Sequence, residues 1–474
     1  MLIGSLTYYI FVLLSSITIL SFLVGSIVYI TGHPNYTSIY ITSFISLFFA
    51  VTLLVAFKDT KKSLDSRSKN IFLVIILWII LPLFGSFPFI FSDLNIPISS
   101  SLFESISAST TTGISVLGSI IKNDFGLLFW RSSLQWLGGL MTLLILCNGL
   151  LSFTNLPGGN IGLNINLKNM NIFISFIYFI LTLICTFSLF IQNDDIFISI
   201  GLGMATISSG GFSFFPDHAL DLHNSIPVVF LILSFYMVIS SIIFPIYCLA
   251  LIKGPKSSVI YNELYRYIFV IVVSLIFFTV IAKAFGVDLK TFLFTTISMI
   301  TTNGIVPFQN NENFFELKPF VIPFAILTLI GGSVISITGG LKITRWRVIL
   351  GQIRYELQQL INPKGIPRSK LTKEGITNLN QHSTLALFSA LIISIIFGMI
   401  FLGIADIPFE KNILIVLAAI TNTGDGLIFL SGLKSDLNNF SLFIIGLLMI
   451  LGKIEIIGIF VIFIPLFWRA RRIK

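Results

Sequence analysis

Four times along this chain an apolar segment too short to cross a bilayer runs into a hydroxyl-rich string closed by glycine. The four are SLFESISASTTTGISVLG (101–118), FISIGLGMATISSGGFSFF (197–215), TFLFTTISMITTNGIVPF (291–308) and NILIVLAAITNTGDGLIFL (412–430). Each apolar part has about 10–14 residues, or about 15–21 Å as a helix, against a hydrocarbon core about 30 Å thick. Such a segment must enter and leave on one side. Its irregular backbone is tolerated at depth only where protein buries it or a water-filled cavity runs beside it. Aligned, the strings read TTTG (110–113), SSGG (208–211), TTNG (301–304) and TNTG (421–424). A repeated unit of this kind decides the architecture before any single residue does.

The bilayer itself is inferred from composition. Of 474 residues 55% are hydrophobic and only 10% charged, with a mean hydropathy of +0.99; a soluble domain carries about 25% charge. Apolar runs long enough to span fall at roughly 5–31, 37–57, 71–91, 127–152, 171–192, 225–252, 259–284, 318–341, 383–405 and 439–468. The first has no basic leader and no small-residue cleavage site, so it reads as a retained span. The net charge of +9 gathers in loops 58–70 and 342–382 and in the tail from 469, while 192–224 has four Asp and no Lys or Arg. That bias places both termini in the cytoplasm and suits membrane orientation better than nucleic-acid binding. Cys147, Cys185 and Cys248 are far apart, and His218 and His223 share a polar loop, so neither set has a metal or disulfide spacing.

The expected fold is all-α and integral to the membrane. Four parallel helix–re-entrant pore loop–helix repeats surround a central pore, with two transmembrane helices ahead of them. The divisions are 1–70 for the two N-terminal helices, 71–170, 171–258 and 259–382 for the first three repeats, and 383–474 for the fourth with its basic tail. Glycine lets string carbonyls turn inward, and four loops around one axis would make a ring of oxygens replacing an ion's hydration shell. The short helices would aim their partly negative C-termini at it, favouring a cation. No carboxylate lies within the first three strings and only Asp425 follows the fourth, so calcium or magnesium is a poor match and a monovalent cation a better one. The alternative for any one string is close helix packing through small residues. A secondary transporter of an organic solute would favour inverted repeats. A membrane enzyme would need a motif such as HExxH, GxSxG or a Walker string, and the chain has none.

The ordered set FESISASTTTG (103–113), RSSLQWLGGL (131–140), SSGGFS (208–213), ITTNGIV (300–306), GGSVISITGGLKITR (331–345) and TNTGDGL (421–427) resembles the Trk/Ktr/HKT superfamily of potassium transporters, and its bacterial TrkH branch most. The resemblance runs from about 71 to 468 and implies potassium uptake across the bacterial inner membrane. The alternatives kept are another cation, sodium or ammonium, or an organic solute. It implies a filter made by Thr111, Thr112 and Gly113; Ser209, Gly210 and Gly211; Thr302, Asn303 and Gly304; and Asn422, Thr423 and Gly424. Asn303 and Asp425 depart from the commoner family pattern. Potassium is then the transported ion, with no tightly bound cofactor. The implied partners are a second copy in a homodimer, a cytoplasmic nucleotide-binding regulatory subunit (TrkA-like) and membrane lipid, with no nucleic acid.

Two further stretches stand out. GGSVISITGGLK (331–342) puts paired glycines, each costing about 1 kcal/mol against Ala in a helix, where a span should continue. A broken helix facing the cavity below the filter is expected, and the resemblance makes Gly331, Gly332, Ser333, Ser336, Thr338, Gly339 and Gly340 an intramembrane gating loop. Close helix packing is the competing reading. In LGKIEIIG (451–458), Lys453 and Glu455 lie within the last span, where charge is costly and often functional. The family places a cation below the filter at this position, and Lys453 is assigned to the gate with the loop. Arg131, between Trp130 and Trp136, reads as an interface anchor, with guarding the pore mouth as the alternative. Glu104 reads as a tie between the first short helix and its neighbours.

Overall fold

The computed structural model describes residues 2–57, 67–117, 120–121, 124–147, 167–193, 195–212, 227–242, 258–306, 320–333, 336–361, 378–430 and 437–454. His218, His223, Cys248, Glu455, the cluster at 58–66 and the tail lie outside these residues.

Every element in the described chain is a helix. The N-terminal pair is α1 (Leu2–Ile30) and α2 (Tyr36–Ala56), packed along each other. The first repeat has α3 (Arg67–Gly85), a single turn α4 (Phe87–Ile90), the short helix α5 (Ile98–Ser109) and α6 (Phe125–Cys147). The second has α7 (Leu167–Asn193), α8 (Ile196–Ile207) and α9 (Pro227–Ser241). The third has α10 (Ser258–Phe285), α11 (Leu289–Ile300), α12 (Val321–Ile330) and α13 (Ile343–Ile361). The fourth has α14 (Asn378–Ile404), α15 (Phe409–Ile420), α16 (Asp425–Leu430) and α17 (Asn439–Lys453). Among the described residues, six helices are long and apolar enough to cross a membrane. A helix lies on each of the ten runs expected to span, but the one expected over 318–341 stops at Ile330. The sequence between α12 and α14 also holds more structure than a cytoplasmic loop, because α13 occupies its first half.

Packing closes the repeats into a ring. Within each repeat the short helix lies between two long partners: α5 between α3 and α6, α8 between α7 and α9, α11 between α10 and α12, and α15 between α14 and α17. Each repeat's last partner also packs against the next short helix: α6 on α8, α9 on α11, α12 on α15, and α17 back on α5. The buried core forms two clusters, one mainly under α1–α9 that also takes in Phe294 and Ile337, and one mainly under α10–α17 that also takes in Phe103 and Ile114. Outside, α2, α7, α10 and α14 expose Phe44, Phe48, Phe187, Phe277 and Ile396. Exposed apolar area on this scale is what a hydrocarbon solvent requires of a surface.

At one end the first helical pair is stapled to the ring. Asp124 is buried before α6 and accepts from Leu127 N at 2.9 Å, capping that helix. It also accepts from Asn35 Nδ2, while Asn35 Oδ1 accepts from Asp93 N at 3.0 Å. Asn35 holds φ 63°, a left-handed turn that Asn tolerates better than most residues. Burial pushes the Asp124 carboxyl above the usual Asp range, and the bonds from Leu127 and Asn35 pull it partly back. Asp124→Ala is expected to cost about 1–2 kcal/mol, the size of a lost helix cap. A lower melting midpoint of the purified protein in detergent checks it, and an unchanged midpoint would show the staple to be idle.

Candidate functional site

The four short helices end alike, and that ending builds the site. Each has 12 residues. After it comes a hydroxyl residue at the cap (Thr110, Ser208, Thr301, Thr421), then a residue with positive φ: Thr111 at 55°, Ser209 at 55°, Thr302 at 52° and Asn422 at 50°. The amide of that residue donates to the helix carbonyl three positions back, and the next amide to the carbonyl five back. In the first string these bonds are Thr111 N to Ala108 O and Thr112 N to Ser107 O, both 2.9 Å. In the fourth they are Asn422 N to Ala419 O, 3.3 Å, and Thr423 N to Ala418 O, 3.0 Å. This is a Schellman ending, which usually places Gly at the left-handed position. Here a side chain stands there every time, at roughly 1–2 kcal/mol each. Threonines at three caps donate back to the helix at 2.7 Å: Thr110 to Ile106 O, Thr301 to Ile297 O and Thr421 to Leu417 O.

The turn reverses the chain and brings the four glycines to one place. Gly113, Gly304 and Gly424 hold φ of 87°, 78° and 79°, open to Gly and strained for other residues. A methyl group added to Gly211 would stand 2.9 Å from Asn303 O, 2.9 Å from Thr112 O and 3.2 Å from Thr423 O. One added to Gly113 would strike the backbone of Gly211, one on Gly304 the carbonyl of Thr423, and one on Gly424 the carbonyl of Thr112. The predicted filter residues of all four strings are therefore neighbours, and peptide oxygens from three strings crowd one point beside the fourth. All these residues are buried.

The stretch 331–342 lies directly against the strings. It leaves α12 at Gly331, φ 68°, and turns again at Gly340, φ 72°. Backbone groups freed by the break find partners: Leu341 N donates to Leu329 O, Ile343 N to Gly332 O, and Ser333 N to Ser241 O. Gly339 N donates to Thr302 Oγ1 at 2.8 Å, and a side chain at Gly339 would strike the Thr421 carbonyl. Lys453 Nζ joins the two parts, donating to Thr111 Oγ1 at 2.6 Å and to Ile337 O at 3.0 Å. A cavity of about 40 Å³ beside this junction is lined by Ser336, Thr338, Gly339, Lys342, Asn422 and Lys453, among others.

Two cations sit where the sequence reading did not put them. Lys342, counted there with the cytoplasmic basic run, is buried in the loop. Its Nζ donates to Ser336 O and Ser336 Oγ at 3.2 Å, to Thr338 Oγ1 at 3.0 Å and to Thr338 O. Its position two residues after Gly340 was the available signal. Arg131 is no interface anchor; it is buried and pairs with Glu104 at 3.1 Å. Glu104 also accepts from Ser115 Oγ at 2.8 Å and Val116 N at 3.2 Å, just beyond the first string. The Arg131 guanidinium lies 4.1 Å from the ring centre of Phe212, just beyond the second string. Asp425 reaches from the fourth string to accept from Ser115 N at 3.1 Å. Removing one member of such a buried pair costs about 3–5 kcal/mol, because the other charge is stranded.

The chain is similar to proteins already known. The TrkH family, described as cation transport protein, matches residues 36–153 and 286–469. The chain belongs to that family. It is 27% identical to the Trk system potassium uptake protein TrkH of Escherichia coli (strain K12), over 90% of this chain and 91% of that one. It is 23% identical to the Trk system potassium uptake protein TrkI of Halomonas elongata, over 83% of this chain and 82% of the relative. The crystal structure of the potassium transporter TrkH from Vibrio parahaemolyticus has the same fold, with a TM-score of 0.86 over 98% of this chain and 99% of that one at 23% identity. The resemblance read from the motifs thus holds, and the family is one of membrane transporters rather than enzymes. A TrkH-family member with Gly304→Ala has a side chain at positive φ and against a neighbouring string. Cation flux in liposomes is expected to fall at least about tenfold, the rate equivalent of a penalty near 1.4 kcal/mol, with the protein still folded. Wild-type flux would show that the strings do not line the conduction path.

Proposed function

We propose that this chain is a potassium-uptake pore of the bacterial inner membrane, with its termini in the cytoplasm. One observation carries the reading: carbonyl oxygens of Thr112, Asn303 and Thr423 lie within 3.2 Å of a single point beside Gly211. A ring of peptide oxygens can take the place of water around a monovalent cation. The proposed ligands are the backbone oxygens of Thr111, Thr112 and Gly113, of Ser209, Gly210 and Gly211, of Thr302, Asn303 and Gly304, and of Asn422, Thr423 and Gly424. Potassium is chosen over sodium or ammonium because the Escherichia coli and Halomonas elongata relatives are named for potassium uptake. It is cargo, not a resident cofactor.

The gate in this reading is the loop of Gly331, Gly332, Ser333, Ser336, Thr338, Gly339 and Gly340, held closed through Lys453. The bond from Gly339 to Thr302 and the two bonds of Lys453 support it. Opening requires those bonds to part. The chain works as a homodimer with a cytoplasmic nucleotide-binding subunit, in line with relatives named as members of a Trk system. An apolar stripe of Leu350, Ile353, Leu357 and Leu360 stays exposed on α13, which follows the gate loop directly, and supports a docking surface coupled to it.

Expression of the chain in a bacterium lacking its own potassium uptake is expected to restore growth at low potassium. No rescue by a chain that reaches the membrane folded would overturn the reading. Deleting Ser333–Thr338 is expected to raise potassium flux through the purified protein. A folded deletion variant with unchanged flux would remove the loop from the gate and leave the filter proposal standing.

A further inference from the structure

The second filter string lacks a side chain that the other three carry. Just before the closing glycine stand Thr112, Asn303 and Thr423 in strings one, three and four, but Gly210 in string two. Each of the three side chains restrains its string, two through a bond inside the string and one through a bond to the second short helix. Thr112 Oγ1 meets Thr110 Oγ1 at 2.8 Å, Thr423 Oγ1 meets Thr421 Oγ1 at 2.7 Å, and Asn303 Nδ2 donates to Thr206 O at 3.2 Å. Gly210 is not there for its backbone, since its φ lies outside the left-handed region that Gly113, Gly304 and Gly424 occupy. It is there for space, and that space is filled from another element. A methyl group on Gly210 would stand 2.5 Å from Gln135 Cδ, 2.6 Å from its Nε2 and 2.8 Å from its Oε1.

Gln135 comes from α6, in the first repeat. Its side chain is wholly buried, and neither its Oε1 nor its Nε2 has a hydrogen-bond partner. A buried amide with both ends unpaired lowers stability relative to an apolar side chain of equal volume. If filling the space were the whole task, Met or Leu would serve it better. An unsatisfied polar group packed on a filter string calls for a functional account.

We propose that Gln135 is a specificity-determining, positioning residue of the second filter string, supplying from α6 the polar group that the other strings carry themselves. Its amide offers both donor and acceptor to the peptides around Gly210. Gly210 and Gly211 are the only adjacent glycines in the four strings, and glycine backbone is intrinsically the most permissive. The amide limits how far those peptides turn as an ion passes, and so keeps the ring's set of oxygens fixed. Discrimination between potassium and sodium depends on that set. The inference rests on the potassium-pore reading above.

The test uses full-length protein in liposomes, with permeability ratios taken from reversal potentials under potassium and sodium gradients. Melting midpoints in detergent are recorded in parallel. Gln135→Met keeps the volume and removes the amide. The potassium-to-sodium ratio is expected to fall at least about fivefold, because the oxygen set that discriminates the two ions is no longer held, while the melting midpoint holds or rises. A purely structural role predicts the reverse: lower stability and an unchanged ratio. An unchanged ratio in the folded variant overturns the proposal. Failure of Gln135→Met to fold overturns it equally, because the amide would then be holding the fold. Wild-type protein that passes no potassium, or both ions alike, fails the pore reading and takes this inference with it.

Discussion

A peptide group inside a bilayer must find its partner within the protein, and this structure depends on how four helices end under that rule. Each short helix stops buried inside the protein, where the last turn of carbonyls would otherwise lack donors. The turn that follows donates two amides back to that turn, as Thr111 and Thr112 do to Ala108 and Ser107. The same turn reverses the chain and frees the next carbonyls, those of Thr112, Asn303 and Thr423, to gather at one point. Satisfying the helix end and exposing the oxygens are one geometric act. Its cost is a left-handed residue with a side chain, repeated four times, and strain of this kind persists only where the surroundings over-determine it. The ring of helix contacts from α6 on α8 around to α17 on α5 is that surrounding.

Buried charge follows the same logic. The Glu104–Arg131 pair binds residues just past the strings, Ser115 of the first repeat and Phe212 of the second, and Ser115 N donates in turn to Asp425 of the fourth. On the opposite side of the strings, Lys342 and Lys453 bind oxygens of the loop and of Thr111. Ion pairs in low dielectric seldom add net stability over apolar packing, so their use here points to specification of one arrangement rather than strength.

The parts legible in the sequence were those written locally. Short apolar segments, glycine strings and the broken span at 331 depend on neighbours within a few residues, and the helices stop where the glycines predicted. What the sequence hid depends on contacts between distant residues. Arg131 beside two tryptophans looks like an interface residue until α5 brings Glu104 against it. Lys342 looks like the start of a basic loop until the chain turns back and closes Ser336 and Thr338 around its ammonium. Gln135 in a run of QWLGG gives no sign that the space left by Gly210 is its own. The apolar and polar residues of α13 read as a loop because its charge dominated the surrounding stretch.

A single chain with four unequal strings can do what four identical subunits cannot. The left-handed residues divide into two pairs. In the even strings they lock neighbouring strings together: Ser209 Oγ donates to Thr301 O at 2.9 Å, and Asn422 Nδ2 to Thr112 Oγ1 at 2.9 Å. In the odd strings they face the loop instead: Thr302 Oγ1 accepts from Gly339, and Thr111 Oγ1 accepts from Lys453, which also holds Ile337. Movement of the loop therefore pulls on two opposite strings and leaves the two inter-string locks in place. The ring can be released from the loop without being taken apart, since the bonds that close it and the bonds that tether it use different residues. Identical strings would have to assign one side chain to both tasks, and movement of the loop would then loosen the contacts between strings.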